Sequence, residues 1–142
     1  MSAVESIDYI TEGVFRPDTL ARVDGQACLV GSRCAHCGDV RFPRAVACPA
    51  CHAPVEALKP VILPRTGHVV TATRVERAIA PFKPPYLLAY VQLPDGPRVF
   101  CQLVSQSMQP RELIGKPCQL LVDRLYEKSG QDVLGYKFEV LP

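Results

Sequence analysis

The sequence predicts a mostly-β chain: a short N-terminal arm, a small metal-stapled ribbon and a closed five-stranded barrel. Three observations point there. Two Cys-x2-Cys pairs, Cys34 with Cys37 and Cys48 with Cys51, stand ten residues apart. Five runs rich in β-branched and aromatic residues follow between Gly67 and Val140, divided by Pro, Gly and Asp-Gly breaks. Arg16-Pro17-Asp18-Thr19 interrupts Ile7 to Leu20, so no long continuous helix is expected at the front. The expected division is 1–27 for the arm, partly helical at most, 28–58 for the ribbon and 59–142 for the barrel.

The cysteine pairs carry the strongest signal. Each tight turn offers two thiolates, and two such turns complete the four-sulfur shell of one tetrahedral ion, Cys34, Cys37, Cys48 and Cys51 together. Iron accepts the same shell; zinc is the expectation. A ribbon of this size buries little apolar surface and needs such a staple, and structural zinc contributes about 10–16 kcal/mol in small fingers. Gly38 after Cys37 suits the positive φ of the first knuckle, and Cys48-Pro49-Ala50-Cys51-His52 repeats the turn without glycine. His36 and His52 read as surface residues, because four cysteines already complete the site. Phe42-Pro43 at the ribbon tip either covers the knuckles or forms a docking surface, with Arg41 and Arg44 facing solvent.

Seven cysteines in all, an odd number, together with the two metal-spaced pairs, favour reduced thiols. Cys101 and Cys118 lie in apolar strand-like runs and read as small core hydrophobes. Cys28 reads as a core or hairpin residue. The opening MSAVESIDYI has no basic segment followed by an apolar one, and no stretch reaches the length of a membrane span. A cytoplasmic location, away from membranes, is expected.

Net charge is +2, from 16 basic and 14 acidic residues. The arm is acidic and residues 57–142 are basic, with eleven bases against seven acids. That tail suits a phosphate or carboxylate, yet it contains no run of Lys and Arg, which argues against non-specific nucleic-acid binding.

In the barrel, Gly67 to Val75 is the first strand, and Ala80-Pro81-Phe82-Lys83-Pro84-Pro85 is a loop because proline lacks the ladder donor. Tyr86 to Leu93 and Arg98 to Val104 form a hairpin about Pro94-Asp95-Gly96-Pro97. Gln109 to Gly115 is one helical turn closed by glycine. Lys116 to Leu125 and Val133 to Val140 are the last strands; a closed barrel would protect their edges, and the runner-up is an open antiparallel sheet packed against the N-terminal segment. Leu58 to Leu63, apolar and proline-bounded, reads as a linker. Tyr86, Tyr90, Phe100, Tyr136 and Phe138 read first as packing residues.

The chain has no glycine-rich phosphate loop and no G-x-S-x-G elbow. His68 lacks an evident acidic partner and reads as a surface or barrel-mouth residue. Neither Ser105 nor Ser107 is marked as activated, and Asp123 with Glu127 makes no convincing carboxylate pair. No catalytic constellation is assigned.

Leu29-Val30-Gly31-Ser32-Arg33-Cys34-Ala35-His36-Cys37-Gly38 and Arg41-Phe42-Pro43-Arg44, followed by Gly67, Pro84-Pro85-Tyr86, Asp95-Gly96 and Gly135-Tyr136-Lys137-Phe138, together resemble the DUF35 family over residues 27–141. The resemblance implies a rubredoxin-like zinc ribbon joined to an OB-fold. It also implies a non-catalytic accessory subunit in coenzyme A chemistry, partnered by a thiolase, a thiolase-like condensing enzyme, an aldolase or a hydratase. The Gly-Ser-Arg-Cys and Gly-Tyr-Lys-Phe segments look most like members paired with thiolases in acyl-CoA degradation. A site for CoA or acyl-CoA would need a cation for phosphate and an apolar shelf; Lys83, Phe82 and Tyr86 supply these beside a strand. Arg98, Arg124 and Lys137 are further cations. The competing class is a single-stranded nucleic-acid module, which an OB barrel also suits. A free-standing enzyme is third.

Overall fold

A computed structural model describes residues 7–94 and 96–142. Residues 1–6, and Asp95 of the expected Asp-Gly turn, lie outside the described residues. The described part is strands and loops with two single 3-10 turns, Val55–Ala57 and Pro110–Glu112. The second is the helical turn expected from Gln109 to Gly115. No helix is long and apolar enough to cross a membrane.

The first sheet contains β1 (Leu20–Val23), β2 (Gln26–Cys34), β3 (Val40–Arg41) and β4 (Leu58–Ile62). Strand β2 is its spine: it pairs antiparallel with β1 through Leu20↔Leu29, with β3 through Ser32↔Arg41, and with β4 through Val30↔Ile62. Asp24 (φ 53°) and Gly25 (φ 78°) turn β1 into β2, the doubly left-handed geometry of a two-residue hairpin. The Leu58 to Leu63 segment is therefore a strand, not a linker. Its backbone pairing gives the reason, an unbroken antiparallel register with β2 from Cys34↔Leu58 to Val30↔Ile62.

The described part of the arm is loop and isolated bridges. Residues 7–19 hold no helix. Tyr9 bridges to Ala21 beside β1, and Val14 bridges in parallel to Leu134. The Phe15 amide donates to the Leu134 carbonyl (2.7 Å), and the Leu134 amide donates to Gly13 (2.7 Å). The arm thus runs from the first sheet across to the barrel.

The barrel is closed, in the order β5 (Thr66–Val75), β6 (Tyr86–Gln92), β7 (Arg98–Val104), β9 (Gln131–Val140), β8 (Pro117–Lys128). Strand β8 returns to β5 through Gly67↔Cys118. All neighbours are antiparallel except β7 and β9, which run parallel over only Gln102↔Lys137, Leu103↔Phe138 and Val104↔Glu139. This is the five-stranded OB-fold. Period-two alternation sends Leu87, Ala89, Val91, Val99, Cys101, Leu103 and Phe138 inward, all buried.

One core joins the two sheets. Leu20, Leu29, Val61 and Leu63 pack in the same cluster as Val69, Leu87, Val99 and Phe138. The knuckle residues Cys34, Cys48, Ala53, Ala57 and Leu58 form a second, smaller cluster.

Candidate functional site

The first candidate is the metal centre. The knuckles close through amide hydrogen bonds from Gly38 to the Cys34 carbonyl (2.8 Å) and from His52 to the Cys48 carbonyl (2.9 Å). His52 takes the left-handed conformation (φ 64°) where the first knuckle uses Gly38 (φ 80°). The turns bring Cys34, Cys37, Cys48 and Cys51 together, with all four sulfurs within 4.8 Å of one another. Cys34 and Cys51 Sγ are 3.7 Å apart, and Cys37 and Cys48 Sγ are 3.6 Å apart. Four thiolates each about 2.3 Å from one zinc would stand about 3.8 Å apart, whereas disulfide sulfurs would be about 2 Å apart. The donor set and spacing fit a structural zinc. The Cys51 amide points at Cys48 Sγ (3.5 Å). Amide hydrogen bonding, first from Cys37, holds the Cys34 thiol down at about 6. His36 and His52 are exposed.

Phe42 covers neither the knuckles nor a free surface. Its ring meets Tyr136 of the barrel edge-on, with centroids 5.2 Å apart, so the ribbon tip packs onto the barrel. Arg65 ties the two modules from behind. Its Nε donates to the Ala27 carbonyl of β2 (3.0 Å), and its guanidinium also reaches the Leu120 carbonyl of β8 (3.4 Å).

The second candidate is a groove on the barrel. The β7–β9 ladder is short, and an apolar cavity of about 280 Å³ lies where it stops, lined by Phe100, Cys101 and Gln102 of β7 and Leu134, Gly135 and Tyr136 of β9. Val14, Phe15, Arg16, Thr19 and Leu20 form one wall, and Phe82, Tyr86 and Leu88 form another. A second cavity of about 450 Å³ adjoins it, sharing Phe82, Tyr86, Gln102 and Leu125 and adding Lys83, Arg124, Glu127 and Lys137. The groove is apolar at one end and cationic at the other. It lies between the β5–β6 and β8–β9 loops, on the side where OB-folds take ligands.

Phe82, Lys83 and Tyr86, chosen from the sequence, all line this groove, and so do Arg124 and Lys137. The Phe82 ring sits 6.0 Å from Tyr86 and 5.5 Å, edge-on, from Tyr126. Arg124 is partly neutralised, because Asp132 lies 3.6 Å away and Glu127 3.8 Å away. Lys83 and Lys137 form no ion pair among the described residues. Arg98 is elsewhere: its Nε donates to Gln92 Oε1 (2.8 Å), beside a cleft toward Arg41 and Phe42. Cys101 reaches the cavity, where burial pushes its thiol up to about 12 and so disfavours the thiolate. Burial also raises the Tyr136 phenol. His68 is exposed near the far end of the barrel, and the Ser107 hydroxyl lies 3.3 Å from Glu112 Oε1.

Sequence reasoning missed three contributors: Arg65, the arm wall from Val14 to Leu20, and Leu125. Nothing local marks a cation or an arm that docks across the fold. Leu125 had a signal, because Gly135 leaves room for its side chain, which a Cβ there would strike.

The same two-part architecture appears in known proteins. Residues 29–56 match the rubredoxin-like zinc ribbon domain of ChsH2, and residues 61–122 match the ChsH2 C-terminal OB-fold domain. A DUF35 domain-containing scaffold protein of Methanocaldococcus jannaschii is 33% identical over 79% of this chain and 81% of its own length. The benzoylsuccinyl-CoA thiolase subunit BbsA of Thauera aromatica is 38% identical over 63% of this chain and 62% of its own length. Among solved structures, an Ltp2-ChsH2(DUF35) aldolase matches with a TM-score of 0.62 and 28% identity, over 80% of this chain and 84% of that one. Ribbon, barrel and extent of match agree, and this chain belongs to the DUF35 family.

Proposed function

We propose that this chain is a non-catalytic accessory subunit of a thiolase-type acyl-CoA enzyme. It stabilises the catalytic partner and shapes, or directly lines, the channel that holds CoA or acyl-CoA. The observation that carries the reading is the groove, in which an aromatic, apolar floor meets Lys83 and Lys137. An acyl-CoA has that polarity: an apolar acyl group, a long linker and a phosphorylated nucleotide. Phe82 and Tyr86 offer flat surfaces to the apolar or adenine part, and Lys83 is placed for phosphate. The role of BbsA as a thiolase subunit supports the choice of partner. The zinc held by Cys34, Cys37, Cys48 and Cys51 keeps the ribbon folded and takes no part in bond-breaking. The partner would supply the nucleophile and acid-base groups.

The test is co-expression with a thiolase-type protein from the same source. One complex is expected, with thiolytic cleavage of acyl-CoA that depends on both chains. Separate proteins, with thiolase activity indifferent to this chain, refute the reading. Within the assembled complex, Lys83→Glu should weaken CoA binding only several-fold, because an exposed charge contact contributes under about 1 kcal/mol. Unchanged affinity removes Lys83 from the site.

A second reading has its own support. The likeness to a DUF35 chain in an aldolase assembly favours an acyl-CoA aldolase as partner. Retro-aldol cleavage by the co-purified pair, without thiolysis, would select it.

A further inference from the structure

The solvent-facing side of β5–β6–β7 has an unusual composition. Strand pairing sets it out in rows: Thr71 beside Tyr90 beside Phe100, then Thr73 beside Leu88 beside Gln102. Val75 beside Tyr86 forms the next row. Paired positions share a face, and the alternate residues Leu87, Ala89, Val91, Val99 and Leu103 are buried inside the barrel. The outer face of an antiparallel sheet is normally polar. Here none of these eight outward residues carries a charge. Charged residues stand only at its corners, with Arg98 on one side and Lys137 and Glu139 on the other. At the centre, Tyr90 and Phe100 lie 5.1 Å apart and are 45% and 52% exposed.

Exposed paired aromatics on these barrel strands are also what a single-stranded nucleic acid would stack on. Charge decides against it. Such grooves carry cations along the backbone path, and the centre of this face has none. Depletion of charge with enrichment of Tyr and Phe is the composition of a protein–protein interface core. The face is also continuous with the groove, because Tyr86, Leu88, Phe100 and Gln102 belong to both. A chain seated on the face would roof the groove.

We propose that the outer face of β5–β6–β7, centred on Tyr90 and Phe100, is the docking surface for the catalytic partner subunit, and that docking there converts the open groove into an interfacial channel. The partner's matching surface is neutral and apolar at its centre, with acids facing Arg98 and Lys137 at the rim. This rests on the accessory-subunit reading.

Thr71→Glu and Tyr90→Glu place a charge at the centre of the face, at two positions that do not themselves line the groove. Each is compared with wild type and with Val46→Glu, an 85% exposed ribbon position, by calorimetric titration against the same thiolase-type protein. Each face variant is expected to weaken association at least tenfold, with zinc content and melting temperature unchanged, while Val46→Glu binds as wild type. If wild type forms no complex, the subunit reading and this inference fall together. If wild type binds and both face variants bind equally well, the docking surface alone is overturned. It is also overturned if the isolated chain is a dimer that Tyr90→Glu splits, or if wild type binds a short single-stranded oligothymidine and Tyr90→Glu does not.

Discussion

Cys101 and Cys118 show what a buried thiol contributes. Burial raises them to about 12 and about 11 from an ordinary value of 9.0. Their folded values lie above their unfolded ones, so the folded state holds these protons more tightly. The associated stability is full below about pH 9 and is lost as pH rises through the folded values. Urea midpoints measured from about pH 8 to 11 should therefore fall at the alkaline end, and Cys101→Ala should flatten that fall while lowering stability at neutral pH. A midpoint equally steep in the variant would contradict the assignment. Gly67 acts by size. A Cβ there would collide with the Gln92 carbonyl oxygen and crowd Leu93 and Val91. Gly67→Ala is expected to cost about 1–3 kcal/mol, read by denaturant unfolding. Both cysteines were legible as core residues from their apolar neighbours. The reason for Gly67 was not legible, because its obstacle lies on the next strand.

At the scale of elements, the zinc knuckles and the strands beneath them differ in what holds them. Cys34, Cys48, Ala53, Ala57 and Leu58 make a core too small to stand without metal. Leu29 of β2 and Val61 of β4 are buried against the larger core. Chelation should therefore release one zinc and raise amide exchange across residues 34–57, leaving β5 to β9 protected. Hydrogen exchange before and after chelation reads this directly, and Cys48→Ser should give the same pattern. Loss of protection throughout the barrel would show that the metal holds more than its knuckles. The metal site itself was fully legible, since spacing alone restricts two Cys-x2-Cys turns to one ion. Strand β4 was not: its prolines suggested a connector, and only its pairing with β2 shows where its backbone hydrogen bonds go.

For the whole molecule, the question is whether ribbon and barrel behave as one body. Three devices join them: the shared core, the Phe42–Tyr136 contact, and Arg65 reaching both β2 and β8. Arg65→Met should cost about 1.5–3 kcal/mol, the usual range for hydrogen bonds to a charged group. Because the core is common, unfolding should remain a single transition by calorimetry and by tyrosine fluorescence. Two separated transitions in wild type would mean that the modules are independent. A rigid pair matters for function, because the arm wall and the barrel wall of the groove come from opposite ends of the chain.

Local pattern determined much of this protein. Cysteine spacing defined the ribbon, period-two alternation defined the five barrel strands, and the Phe82–Tyr86 segment announced an aromatic and cationic loop. Tertiary structure alone decided that Lys83, Arg124 and Lys137 share one groove while Arg98 does not. It also turned Tyr90 and Phe100 outward, although they had read as packing residues, and brought the arm against Leu134. The physical reason is that alternation says which residues share a face but not which face is buried. That depends on how the sheet closes, and closure here turns on three parallel pairs between strands distant in sequence.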